Sequence, residues 1–273
     1  MLEQLLNNVK EKKPLIHNIT NYVTVNDCAN ILLACGGSPI MADAIEEVEE
    51  ITTICDGLNI NIGTLNNRTV ASMLKAGKKA NQLNHPIVLD PVGAGASSLR
   101  TDSANKLIDE IQFSVIRGNI SEIKTLAKGT TTTSGVDANE LDKVNEDNLA
   151  SVIDFAKEFS KKTKAIIAIT GAIDIVASEN KAYCIYNGHP LMSSVTGTGC
   201  QLSALISAYI SANPTCMLEA TVAAICAMGV CGQIAYNRMK ELDGNASYRN
   251  YIIDAIYNLD GAKLESLAKY KEY

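Results

Sequence analysis

The sequence lacks several features that would point directly to its chemistry. Its 24 Lys and Arg residues form no marked cluster. The nearest grouping, Lys161, Lys162 and Lys164, reads as a solvated helix end. With a net charge of −6 and a pI of about 5.2, no nucleic-acid partner is expected. The eight cysteines contain no CxxC pair and no cysteine–histidine grouping with zinc spacing. They are expected to be reduced, mostly buried thiols of a cytoplasmic protein. His17, His85 and His189 lie far apart and read as structural or surface residues rather than metal ligands. The phosphate loop GxxxxGK[ST] is absent. Gly93-Ala-Gly95 and Gly197-Thr-Gly199 lack the third glycine of a dinucleotide fingerprint. The N-terminal MLEQLLNNVKEKKP has no apolar core of the signal-peptide kind. The most apolar region, ATVAAICAMGVCG from Ala220 to Gly232, is too short to span a bilayer. A buried core helix is expected there, and no membrane.

What is present is an ordinary globular balance of 47% hydrophobic and 20% charged residues over 273 positions. No repeat, low-complexity tract or linker divides the chain, so one domain, 1–273, is expected. Short apolar runs at Pro14–Ile19, Gly57–Ile62, Pro86–Leu89, Phe113–Ile116 and Ala165–Ile169 have the continuous pattern of buried parallel strands. Between them, Thr64 could cap a helix to about Gln82, Thr101 or Asp102 one to Ile111, and Asn145 one to Lys161. Asp174–Ala177 and Ala182–Tyr186 flank the polar turn SENK, which predicts an antiparallel hairpin at the sheet edge. After Cys200 the chain reads as all helical, with Asn213–Pro214 starting a helix to about Lys240. Alternating strands and helices predict an α/β fold: a doubly wound, mostly parallel sheet flanked by helices, with that edge hairpin.

Open α/β sheets bind ligands at the carboxyl ends of their strands. There the sequence places Asp90, then Arg117-Gly118-Asn119 with Glu122, then Thr170, and finally VTGTGC, residues 195–200. Asp90 and Glu122 could hold Mg²⁺, directly or through water, against phosphate oxygens. Asp90 before Pro91 could equally shape a turn, and Asn119-x-x-Glu122 also fits a helix capping box. Arg117 could neutralise phosphate charge with its fork or sit in a surface ion pair. Thr170 could donate to a nucleotide phosphate or cap a strand. The N–H groups of Gly197, Thr198, Gly199 and Cys200 open a helix, where an anion is favoured. They suit the charge that develops on a transferring phosphoryl group. A tight turn before a buried helix, with Cys200 as a small core residue, is the plainer alternative.

At these residues the chain resembles the hydroxyethylthiazole kinases, ribokinase-like enzymes of thiamine salvage. The resemblance runs from PLIHNITNYVTVNDCANILLACGGSPIMADAIEEVEE (Pro14–Glu50) through VLDPVGAGAS, VIRGNISEI and AITGAIDIV to VTGTGCQLSA. It implies transfer of phosphate from ATP, with Mg²⁺, to the hydroxyl of 4-methyl-5-(2-hydroxyethyl)thiazole, in a homotrimer with the thiazole near a subunit boundary. By the same resemblance Met41, Asn21, Val23 and Gly197 line the thiazole pocket, Arg117 and Thr170 bind ATP, and Asp90 and Glu122 are the Mg²⁺-associated acids. Cys200 stands where the wider ribokinase-like group carries the aspartate of GxGD, which favours the thiazole kinases over sugar or hydroxymethylpyrimidine kinases. A helix N-terminus lowers a thiol pKa. Cys200 is therefore expected to accept the hydroxyl proton or to hydrogen-bond the hydroxyethyl group, with the backbone N–H groups contributing more.

Overall fold

A computed structural model of the chain describes residues 1–129 and 144–273. Among the described residues nine strands form one sheet: β1 (Leu15–Ile19), β2 (Ser38–Met41), β3 (Gly57–Asn61), β4 (Ile87–Asp90), β5 (Val115–Asn119), β6 (Ile166–Thr170), β7 (Asp174–Ala177), β8 (Ala182–Ile185) and β9 (Tyr270–Glu272). Their order is β2-β1-β3-β4-β5-β6-β7-β8-β9. From β2 to β6 all neighbours are parallel, while β7, β8 and β9 add antiparallel.

Successive strand side chains point to opposite faces, and both faces are covered. Ile87 and Leu89 join a core beneath α3 (Val48–Ile54), α4 (Asn67–Leu83), α5 (Ser98–Glu110), α6 (Ile120–Gly129) and α7 (Leu149–Thr163). Val88 joins the opposite core. That core is built with α1 (Leu2–Lys12), α2 (Val25–Cys35), α8 (Thr198–Ala212), α9 (Met217–Arg238), α10 (Asn245–Tyr257) and α11 (Gly261–Leu267). Two-sided burial explains why most strands read as continuous apolar runs. Helix α9 is long and apolar enough to cross a bilayer, yet 72% of its most apolar stretch is buried against the rest of the protein, as expected of a core helix.

Several boundaries differ from those the sequence suggests. The first turn of α4 is capped by Asn66, not Thr64; Asn66 Oδ1 accepts from Thr69 N–H at 3.0 Å and Thr69 Oγ1 from Asn66 N–H at 3.2 Å. Ser97 caps α5 ahead of Thr101 and Asp102, and Thr101 Oγ1 instead accepts from Gly95 N–H. Asn145 and Asn148 bond each other's backbone N–H, so α7 starts after Asn148. Asn213 turns its amide back to the Leu5 and Tyr209 carbonyls and closes the end of α8 instead of opening the next helix; α9 begins after Cys216. The region after Cys200 is not wholly helical, because β9 extends the edge hairpin through Tyr183, Cys184 and Ile185. A three-residue strand that alternates charge carries too little apolar periodicity to be read alone.

Candidate active site

Helix α8 packs on β1, β3 and β4, and its amino end meets Arg117 of β5. In register Asn59 lies beside Asn18, Asn61 beside Asp90, and Asn119 beside Thr170. Asn18, Asn59, Asn61 and Asp90 are all buried. Burying such groups costs free energy unless they are hydrogen-bonded, and most of them are.

Asp90 Oδ2 accepts from Ser203 Oγ at 2.7 Å, Asn61 Nδ2 at 2.9 Å and Arg117 Nη1 at 3.4 Å. Its other oxygen, Oδ1, is buried with no partner among the described residues. Burial pushes the Asp90 carboxyl above the usual carboxylate range, and the Arg117 guanidinium opposes that shift. Arg117 donates from Nη2 to Thr170 Oγ1 at 2.7 Å, and its Nε is likewise buried without a partner among the described residues. A β-carbon at Gly199 would lie 2.6 Å from Arg117 Nη1. The guanidinium therefore rests directly on the glycine turn, which is why that position has no side chain.

The turn itself is shaped by Gly197, at φ +90°. A side chain there would be strained, and its β-carbon would meet Thr24 Cγ2 at 2.4 Å. The first helical hydrogen bond of α8 runs from Gln201 N–H to Gly197 O at 2.8 Å. The N–H groups of Thr198, Gly199 and Cys200 precede it and carry the positive end of the helix dipole. Thr198 and Gly199 open onto a cleft of about 1010 Å³, which also takes in Arg117, Asn119, Thr170 and Asp174. Burial raises the Asp174 carboxyl to about 7, against the Gly171 N–H it accepts and the charge of Arg117.

Cys200 is buried and faces away from that cleft's lining, toward the segment after β1. Asn21 Nδ2 donates to its Sγ at 3.2 Å. Burial first, and the Asp90 charge second, push the Cys200 thiol up from its ordinary pKa. The lowering expected from a helix N-terminus is outweighed, so the group at this position is a neutral thiol.

The other sequence candidates divide. Asn21 is buried and joined to the cysteine, whereas Val23 is 59% exposed. Met41, at the end of β2, is half-buried and packs on the same core as Cys200. His17 bonds Ala42 O from Nε2 at 2.8 Å and so holds the chain just after Met41. Glu122 forms the capping box: Oε2 accepts from Asn119 N–H and Asn119 Oδ1 from Glu122 N–H, both at 2.8 Å. Its Oε1 accepts from Gly93 N–H, which ties the loop after Asp90 to α6. Among the described residues no cluster of three His, Cys, Asp or Glu has the arrangement of a metal site.

Sequence reasoning missed Asn61, Ser203 and Arg100. Arg100 donates to the carbonyls of Ile62, Val92 and Gly63 and so locks the loops after β3 and β4 together. The alternation Leu58-Asn59-Ile60-Asn61 is a signal for the asparagines, since a polar residue every second position marks one face of a strand.

The model of the hydroxyethylthiazole kinase family matches residues 6–262. The chain belongs to that family. A hydroxyethylthiazole kinase from Clostridium acetobutylicum is 67% identical over the full length of both chains. The solved structure of a hydroxyethylthiazole kinase from Pyrococcus horikoshii superposes with a TM-score of 0.88 at 35% identity, covering 100% of this chain and 98% of that one. A ribokinase-like superfamily protein from Enterococcus faecalis, 11% identical and covering 92% and 88%, has a TM-score of 0.60 and supports the fold alone. The fold is ribokinase-like, as the sequence resemblance implies.

Proposed function

We infer that the protein transfers the γ-phosphoryl group of ATP to the hydroxyl of 4-methyl-5-(2-hydroxyethyl)thiazole in thiamine biosynthesis. The observation that carries this reading is the meeting of Arg117 with the Gly199 turn. A charged fork and a row of helix N–H groups converge where phosphate charge must be neutralised. ATP occupies the cleft on the Arg117–Thr170 side. The thiazole alcohol lies on the far side of the turn, near Asn21, Val23, Met41, Gly197 and Cys200.

In the reaction the alcohol oxygen bonds to the γ-phosphorus as the bond to the β–γ bridging oxygen breaks, and ADP leaves. The transition state is loose, so the hydroxyl proton departs late and passes to the product phosphate or to solvent. Positioning and charge neutralisation carry most of the rate. Arg117 and the N–H groups of Thr198, Gly199 and Cys200 take up charge on the phosphoryl oxygens. The neutral Cys200 thiol orients the hydroxyl and has no need to act as a strong base.

The residues present fit a magnesium ion, because Asp90 Oδ1 is a buried carboxylate oxygen with no protein partner among the described residues. Asp90 would hold the ion directly or through water, with Glu122 helping through a water, since its oxygens already accept backbone N–H groups. When bound, Mg²⁺ would supply charge neutralisation to the phosphates. A homotrimer suits the exposure of Tyr22 (80%) and Val23 (59%) beside the buried Asn21. Eight unpaired cysteines suit a cytoplasmic location.

The test is ADP release in a coupled assay, with hydroxyethylthiazole and hydroxymethylpyrimidine offered in turn. Turnover with the thiazole alcohol at least tenfold above the other is expected. Binding of ATP and the thiazole without ADP release would overturn the reading.

A further inference from the structure

We propose that Asn61 is a positioning residue that couples Asp90 on the phosphoryl side to Cys200 on the alcohol side, through Asn21. This rests on the activity proposed above and deepens it. Each amide in the chain is fixed in orientation. Asn61 Nδ2 donates to Asp90 Oδ2 at 2.9 Å. Asn61 Oδ1 accepts from Gly63 N–H and from Asn21 Nδ2, both at 2.9 Å. Two donors at that oxygen define which end of the amide faces Asp90. The Nδ2 of Asn21 has two hydrogens, and the second goes to Cys200 Sγ at 3.2 Å. Asn21 Oδ1 in turn accepts from Thr24 N–H and Thr24 Oγ1, both at 3.1 Å.

The packing around this relay leaves it no freedom. Asn61 and Asn21 are 1% and 4% exposed. A β-carbon at Gly63 would come within 2.9 Å of three Asn21 atoms, so Gly63 is the floor on which the Asn21 amide lies. Thr24 is pressed against Gly197, which joins the same segment to the turn. The consequence for chemistry is directional. The sulfur of Cys200 accepts from Asn21 Nδ2, so the amide fixes the direction from which the thiol meets the alcohol. At the other end Asn61 and Ser203 together saturate Oδ2 of Asp90 and leave Oδ1 as its free oxygen. One amide thus sets the orientation of both groups between which the phosphoryl group travels. Buried hydrogen-bond networks of this kind act as units, and double-mutant cycles are the means of apportioning them.

The experiment is a kinetic cycle of Asn61→Ala and Cys200→Ala, joined to a crystal structure of Asn61→Ala. In the native background Asn61→Ala is expected to lower kcat about 30-fold with KM for ATP changed less than about threefold. In the Cys200→Ala background the same change should cost about fivefold, because only the path through Asp90 remains. The structure should show Asn21 Nδ2 moved beyond hydrogen-bond reach of Cys200 Sγ. Equal losses in both backgrounds, or an unmoved Asn21, would overturn the relay. If Asn61→Ala does not fold, Asn21→Ala replaces it in the cycle, with the same non-additivity expected and additivity overturning the proposal. Native protein that turns over no thiazole alcohol would sink the activity alone, since the position of Asn21 in the variant is scored whatever the substrate.

Discussion

The two sides of the glycine turn are built in opposite ways. On the nucleotide side lies an open cleft lined by Arg117, and the ion pair there keeps unused capacity: Arg117 Nε and Asp90 Oδ1 are buried without partners among the described residues. On the alcohol side, Asn21 uses both hydrogens of its amide and its oxygen, and Asn61 is tied at both ends of its amide to Asp90, Gly63 and Asn21. Unsatisfied buried polar atoms are costly, so a protein retains them where a ligand completes them. The satisfied network costs less and holds position. The difference teaches that the nucleotide side is arranged to receive charge, while the alcohol side is arranged to keep a neutral group in one orientation.

If that contrast holds, the largest loss comes from the charge-receiving side. Arg117→Ala is expected to lower kcat/KM for ATP by about 10³-fold, since it removes a charge-assisted donor from the transition state. The loss should not be confined to binding: kcat itself should fall at saturating ATP. Arg117 is also the cationic partner of a fully buried Asp90, so the variant should unfold at lower temperature than the native protein. Steady-state kinetics with a thermal melt check both. A tenfold effect seen only in KM would erase the contrast between the sides.

The turn between them comes next. Gly197→Ala meets two obstacles at once, a φ of +90° and a β-carbon 2.4 Å from Thr24 Cγ2. Displacement of the backbone N–H groups by even a fraction of an ångström misdirects them, and about a 10²-fold fall in kcat is expected. Gly197→Ala combined with Thr24→Ser removes the methyl that clashes and leaves the φ strain. Partial recovery in that pair, measured as kcat, would separate crowding from backbone conformation. No effect of Gly197→Ala would mean that the turn does not need its observed shape.

These expectations rest on features that were unequally legible in the sequence. Five of the six parallel strands and the β7–β8 hairpin were readable because two-sided burial leaves apolar runs and the polar SENK turn interrupts them. Asp90, Arg117 and Thr170 were readable because strand ends are where open sheets bind ligands. Strand β2 was not, because its four residues, Ser38–Met41, are all half-buried at an edge and include a proline. Helix caps slipped by two to five residues because Asn, Ser and Thr stand close together around the starts of α4, α5 and α7, and only geometry selects among them. The state of Cys200 was misread for a deeper reason. The helix N-terminus is visible in sequence, but the burial and the Asp90 charge that outweigh it come from β4 and the fold.

A smaller effect is expected on the alcohol side. Cys200→Ala should lower kcat about tenfold and leave KM for ATP within about twofold. A neutral thiol that orients a hydroxyl contributes less than a charged fork that meets the phosphoryl group. Abolished activity in a folded Cys200→Ala protein would make the thiol indispensable, and the alcohol side could no longer be described as positional.

The smallest expected effect separates the static frame from both sides of the site. His17 is fully buried, with Nε2 bonded to Ala42 O and Nδ1 to Thr52 Oγ1 at 3.0 Å. Because Ala42 O only accepts, Nε2 carries the hydrogen, while Thr52 Oγ1, which lies beside Nδ1, gives its own hydrogen to Val48 O at 2.6 Å. Burial lowers the His17 pKa below 6.5, opposed by the bond to Ala42. The unfolded chain therefore binds this proton more readily than the folded one does, and stability rises with pH through that window. The contribution is fully present above about 6.5 and is lost as the pH falls toward the folded pKa. Melting temperature measured between pH 7.5 and 5.5 should fall more steeply for the native protein than for His17→Gln, whose amide can still donate to Ala42. Parallel slopes would mean that the imidazole is not the group that senses the acid. Since Ala42 follows Met41, a native protein at pH 5.5 should also lose affinity for the thiazole alcohol before it loses ATP, because the frame that fails first is the one behind the alcohol pocket.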